Sequence, residues 1–514
     1  MTSFLWERNI AHSIRADRKN GFLFPFEEIN RYLKDNPQQN PDELVVIAPD
    51  DYRDEFSYAT EHLSHDALIF TLNKTITVLR KYNEIDLPCG NAASWDDCIR
   101  WCENQLHLVW ADRGAYPGLG AVLSALGVPY GFDVANALKA KYKDNELWDN
   151  ISDAFVSIAS ILPKNKASIF KLIDTNTRED VADILEEQKN YLRLLSRITL
   201  TLPQAKLLLD DAIRSGRRLC EYADQLTNIH NKDLSADIVQ NPYTLFEKTY
   251  RLEEKYRVGI GKIDLALFPP DFITEQFFPE DDINRVSEQN DKRRLRAIIV
   301  SVLEQEATNG SSLMLASHLI EMVSKFRSDV PDIEPDLRLS TIQSNRRREF
   351  FEEYFTQFPV ELISESGETK TETALQLKRL CEIGLTIRNF VNERIEQSIK
   401  VDDWESLLNS VLKKEQQSEK GIEEESRREK VAAIAKMASS KISVLTGGAG
   451  TGKTTTLAAL CKSNAIQHDG ILVLAPTGKA RVVLSSKLRQ EGVRATAKTV
   501  FQFLKKSKHC DINT

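Results

Sequence analysis

Residues 442–460 read ISVLTGGAGTGKTTTLAAL, and this stretch decides the fold of the last part of the chain. The pattern G-x-x-x-x-G-K-T is met by Gly447, Gly452, Lys453 and Thr454. Lys441–Thr446 is expected as a buried strand entering the loop, and the run from Lys453 as a helix leaving it. Glycines let consecutive backbone amides turn inward around phosphate oxygens, and the helix N terminus adds a favourable partial charge. Gly447, Gly448, Ala449, Gly450, Thr451, Gly452, Lys453, Thr454 and Thr455 are thus the candidate nucleotide-binding residues. Lys453 is placed against the β- and γ-phosphates and the Thr454 hydroxyl on Mg2+, so ATP and Mg2+ are the expected cofactors. A tight strand-to-helix turn without chemistry is the plainer alternative, and the flanking elements argue against it.

Downstream, GILVLAPTGKARVVLSSKL predicts a second buried strand over Ile471–Ala475, a polar turn and a basic helix. Strand, loop, helix, strand, helix is the opening of a parallel doubly wound sheet. Charge singles out the same region. The 514-residue chain has a formal net charge of -8, but residues 426–514 carry 16 Lys and Arg against 4 Asp and Glu. This end is the candidate anion-binding surface. A solvated basic face is the alternative reading of charge alone.

The order LTGGAGTGKTTT, LAPTGKA, KTVFQFL resembles the first nucleotide and DNA motifs of superfamily 1 helicases of the RecD-like type. The resemblance implies that Pro476, Thr477 and Lys479 grip the sugar-phosphate backbone of single-stranded DNA. In KTVFQFL, Phe501 stands where the family often has His. Upstream, NPYTLF (241–246), GIGKIDLAL (259–267) and TETALQLKRLCEIGLTIRNFVNERI are similar in order to the region preceding the first motor domain, so the likeness covers roughly residues 190–514. The Gly259-Ile260-Gly261 turn has the form of a helix-hairpin-helix, whose amides can hold a DNA phosphate; a helix-packing turn is the alternative. Gly118-Leu119-Gly120 has the same form, with packing the safer reading. Where the family has an adenine-reading Gln, seventeen residues before the first loop glycine, this chain has Lys430. A nucleotide pocket tolerant of the base is therefore expected.

The expected fold is α/β and mostly helical, in several domains. Residues 1–150 are expected as a mixed α/β region, on the apolar runs ELVVIAP and HDALIFTL. Residues 151–340 are expected as a helical region with helix-hairpin-helix-like elements, and 341–412 as a helical connector. Residues 413–430, KKEQQSEKGIEEESRREK, are read as a charged linker, and 431–514 as a partial RecA-like P-loop domain. Cys89, Cys98, Cys102 and His107 cluster enough to raise zinc, but the four-residue spacing of Cys98 and Cys102 in a tryptophan-rich helix favours packing.

No run approaches the roughly 18 apolar residues that span a bilayer, and MTSFLWERNIAHSIR lacks a signal-peptide core. A cytoplasmic address with no membrane partner is expected. With seven scattered cysteines, reduced thiols are expected.

After Gly452 the acidic residues are Asp469, Glu491 and Asp511, none ending an apolar strand where a magnesium-holding acid belongs. The resulting expectation is the N-terminal part of an ATP-dependent helicase, acting on single-stranded DNA or duplex with a single-stranded end. A C-terminal remainder of the same protein is the expected partner, and this chain alone is expected not to hydrolyse ATP. The alternatives are a non-motor DNA-binding or assembly module and a nucleic-acid-sensing ATPase switch in bacterial defence.

Overall fold

The computed structural model describes residues 26–46, 63–89, 94–160, 175–209, 234–276, 286, 288–324, 326, 335, 337, 338, 345–363, 367–395, 404–411, 422–448 and 451–507, except 469, 491 and 494. Among the described residues the molecule is mostly helical with two small sheets. It divides into two compact units, 1–381 and 382–514.

In the first unit, HDALIFTL opens helix α1 (His65–Glu84) and is not a strand. Ser64 caps the helix by accepting from the Ala67 amide, and Asp66 sits in the first turn. Helix α1 is buried nearly all round, so its residues form a continuous apolar run that looks the same in a buried strand. ELVVIAP begins with a 3₁₀ turn and bend around Leu44; its last three residues lie outside the described residues. Helix α2 (Trp95–Arg113) starts on a capping box between Ser94 and Asp97 and packs against α1. A buried ion pair, Arg113 Nε to Asp66 Oδ1 at 2.7 Å, ties their ends.

Helices α3 (Leu119–Ala125) and α4 (Gly131–Lys141) form a close hairpin. Gly118 precedes it, and its amide donates to Ser196 O at 2.8 Å. A Cβ there would lie 2.1 Å from the Ile198 carbonyl oxygen, so glycine is required by backbone contact. This second Gly-x-Gly turn is therefore a packing turn.

Helix α5 (Ile260–Leu267) follows the first Gly-x-Gly turn and lies against α6 (Lys292–Thr308) through charge. Arg294 Nη2 donates to Asp264 Oδ2 at 2.8 Å, with both side chains fully buried. Tyr243 donates its hydroxyl to Asp264 Oδ1 at 2.7 Å. Two residues further along α5, the Ala266 carbonyl accepts from Arg197 Nη2 at 2.8 Å.

Residues 355–377, expected to be helical in part, form an antiparallel hairpin of β2 (Phe355–Ile363) and β3 (Thr369–Leu377), with β1 (Met314–Leu315) on the other side of β3. Threonines at 369, 371 and 373 suit a strand, and Gly367 takes the positive φ of the turn. Helix α7 (Lys378–Ile395) follows directly.

In the second unit, α8 (Trp404–Asn409), α9 (Ile422–Ala438) and α10 (Lys453–Cys461) pack together. Part of the charged stretch read as a linker is thus the start of α9. Glu423 and Glu424 precede Arg427 and Arg428 by four residues, a spacing that supports a solvent-exposed helix, and acids at its start suit the dipole. Strands β4 (Leu472–Ala475) and β5 (Thr496–Thr499) pair in parallel, Leu472 opposite Thr496, with α11 (Gly478–Gln490) crossing between them. Helix α12 (Val500–Lys506) leaves β5 through a capping box of Thr499 and Gln502.

Two sequence expectations fail here. Residues 443–448 have no strand assignment, and Val444 is 86% exposed. In β4, Val473 and Ala475 are buried while Leu472 and Leu474 are exposed. A parallel strand is buried on both faces only where strands flank it and helices cover it. Among the described residues, β4 and β5 pair only with each other.

Candidate phosphate-binding site

The loop from Gly447 leads into α10, whose N terminus has no side-chain cap. Gly452 occupies the left-handed region, with φ +82° and ψ +19°, which a side chain would strain. Its carbonyl accepts the first helical bond, from the Thr456 amide at 2.9 Å. The Thr456 hydroxyl bonds to the same oxygen at 3.1 Å, and Thr456 is buried under the turn. The helix start is therefore fixed from inside while its first amides face outward.

The Lys453 ammonium folds over the loop, donating to Gly447 O at 2.6 Å and Gly448 O at 2.5 Å. Thr451 Oγ1 donates to Gly448 O at 3.0 Å and closes the turn. Thr454 stands half-buried in the first helical turn, one residue past Lys453. The Thr455 hydroxyl accepts from Lys487 Nζ of α11 at 3.3 Å. Ala449 and Gly450 lie outside the described residues, as do Asp469, Glu491 and Asp511.

Lys430 adds a further cation that the loop pattern does not reveal. A Cβ built on Gly452 would lie 3.3 Å from Lys430 Cε and 3.4 Å from its Nζ, so this ammonium reaches the lip of the loop. Lys430 shares a helix face with Ile434 and Ala438, both buried in the core of this unit, and that packing sets where its side chain goes.

Among the described residues, the uncapped start of α10, the Lys453 ammonium and the Thr454 hydroxyl are groups of the kind that suit a nucleotide phosphate with Mg2+. Lys453 and the amides would hold the phosphates and Thr454 the metal, which screens phosphate charge when bound.

Pro476 and Thr477 form the bend at the carboxyl end of β4, and Lys479 lies in the first turn of α11; all three are exposed. The Thr477 hydroxyl accepts from the Ala480 amide at 3.2 Å, capping α11. Ligands of open α/β sheets sit at this edge, outside the carboxyl ends of the strands. Phe501, 63% exposed, starts α12 at the equivalent end of β5, and Arg481 Nη1 links α11 to Gln502 of α12 at 3.2 Å.

In the other unit, Gly259 is the N-cap of α5 and Gly261 its second residue, both half-buried, with no side chain capping the helix. Cys98 and Cys102 are buried in α2, and burial pushes the Cys98 thiol up to about 12 and the Cys102 thiol higher still. His107 stacks on Phe272 at 4.4 Å. Among the described residues no group of three or more His, Cys, Asp or Glu is placed to hold a metal ion. No helix among them is long and apolar enough to cross a membrane.

Residues 430–513 match the model of an AAA domain. An uncharacterised protein of Methanocaldococcus jannaschii is 21% identical over 96% of this chain. The chain spans 42% of that relative's length. No solved structure matches. The AAA match supports a P-loop, helicase-like superfamily for the C-terminal segment, in which such domains generally use ATP and Mg2+.

Proposed function

We propose that this chain is a nucleotide- and single-stranded-DNA-binding protein of RecD-like helicase type. The observation that carries the reading is the loop: a left-handed Gly452, uncapped α10 amides and a Lys453 ammonium already turned onto the loop carbonyls. ATP binds there through Lys453 and the amides, with Thr454 on Mg2+. Pro476, Thr477 and Lys479, exposed at the carboxyl end of β4, hold the DNA backbone. The amides of Gly259 and Gly261 add a second phosphate contact at the start of α5. In the intact protein, ATP hydrolysis drives movement along single-stranded DNA.

Thermal melting tests the nucleotide half. ATP at a hundredfold excess over its dissociation constant stabilises the domain that binds it by about 2.7 kcal/mol. Lys453→Ala should remove most of that shift and leave the nucleotide-free melt in place. An unshifted melt of the unaltered protein would defeat the reading. Binding of a fluorescent oligonucleotide tests the other half. Each single-strand phosphate neutralised contributes about 0.7 to the slope of log affinity on log salt, so Lys479→Ala should lower the slope by roughly that amount. Salt-insensitive binding would remove DNA from the proposal.

A further inference from the structure

We infer that Lys430 is a nucleotide-binding residue of the phosphate loop, so that the site ranks nucleotides by phosphate charge and not by base. The inference rests on the nucleotide reading above and deepens it. Lys430 Nζ lies 3.4 Å from where a Cβ on Gly452 would stand, and Gly452 is the last loop residue before Lys453. Two ammonium groups on different elements, Lys430 of α9 and Lys453 of α10, therefore meet at one turn. Neither forms an ion pair among the described residues, and Lys453 is satisfied only by the carbonyls of Gly447 and Gly448.

Like charges brought to one loop repel, and the loop gains stability when an anion binds there. An ammonium has three donors and no acceptor. It cannot accept from the amino group of adenine, so it cannot make the paired donor and acceptor contact by which a carboxamide reads that base. The matching group is the one richest in acceptors and negative charge, the phosphate chain. Lys430 is held for this contact by position, since Ile434 and Ala438, one and two turns further on the same face of α9, are buried in the core of the unit. The long side chain supplies the reach, and its half-buried stem restricts where the ammonium goes.

The test is calorimetric titration of the full chain with ATP, GTP, ADP, AMP and inorganic tripolyphosphate. Unaltered protein should bind ATP and GTP within about threefold of one another and should bind tripolyphosphate in competition with both. Lys430→Ala should weaken ATP and GTP alike by about five- to tenfold, the range of a partly screened charge-assisted bond, with the loss shrinking from tri- to monophosphate. Lys430→Arg should recover most of the affinity, and Lys430→Gln, which keeps the bulk, should not. An unchanged nucleotide-free melting temperature shows that the variants fold. Unchanged ATP affinity in a folded Lys430→Ala protein overturns the inference but leaves the nucleotide site standing. So does a loss confined to one base. If the unaltered protein binds none of these ligands, both readings fall.

Discussion

Replacing Asp264 by Asn isolates one charge in a fully buried polar cluster of the first unit. Arg294 donates through Nε and Nη2 to the two oxygens of Asp264, at 3.0 and 2.8 Å, and through Nη1 to Gln289 O at 3.0 Å. Neither side chain of the pair has any exposed surface. Asn keeps the shape and one acceptor for Tyr243, but it leaves the guanidinium without a counter-charge and turns one acceptor toward it as a donor. Stranding a buried charge costs about 3–5 kcal/mol. With a denaturant slope of about 3 kcal/mol per molar urea, the midpoint should fall by about 1–1.7 M. Tryptophan emission follows this unit, because five of the six tryptophans lie in residues 1–381. Asp264→Leu combined with Arg294→Met removes both charges and should recover part of the loss, since a well-packed apolar pair replaces a buried ion pair at little cost while the Tyr243 hydroxyl is left without its acceptor. Amide exchange should show the same ranking at α5, whose start carries Gly259 and Gly261. A loss below about 1 kcal/mol in Asp264→Asn would mean that the guanidinium reaches water or another acceptor, and the account of the cluster would be wrong. A double variant as unstable as the single one would place the cost in packing and not in charge.

Gly118→Ala should cost about 3 kcal/mol or more, because its Cβ meets the fixed Ile198 carbonyl at 2.1 Å, and should lower the first thermal transition without changing nucleotide affinity. Buried thiols make a pH test. The Cys98 pKa of about 12 exceeds that of an unfolded thiol, so its contribution is intact below about pH 8.5 and declines between about pH 9 and 12 by roughly 1.4 kcal/mol per pH unit. Denaturant titrations of Cys98→Ala should show a shallower decline over that window, and equal declines would contradict the burial of that thiol. Thr499→Ala removes the side-chain cap of α12 and should cost about 1 kcal/mol, seen as faster amide exchange in that helix.

The phosphate loop was legible because its requirements are local. The glycine spacing, the Lys-Thr pair and the helix that follows are set within a few residues, and the left-handed Gly452 answers to the same chemistry. Strand β4 and the helix α11 after it were readable in the same way, since period acts at short range, whereas β5 and the capped start of α12 came from the structure. The fully apolar run of α1 was not, because an element buried on all sides has lost the periodicity that separates helix from strand. The β2–β3 hairpin was missed for a different reason: its threonines and alternation become a strand only when each finds its partner, Phe355 opposite Leu377 through Ile363 opposite Thr369. The exposure of Val444 and Leu472 likewise depends on which strands and helices lie beside them. Most of the polar chemistry of the first unit belongs to tertiary structure, because Asp264 meets Arg294 and Tyr243, and Asp66 meets Arg113, only after helices distant in sequence have packed. The sequence by itself determined that a glycine-rich turn leads into a helix at Lys453 and where it lies. Only the packing of α9, through Ile434 and Ala438, brought the Lys430 ammonium to that turn, because side-chain reach is local but the direction in which it is spent is set by the core.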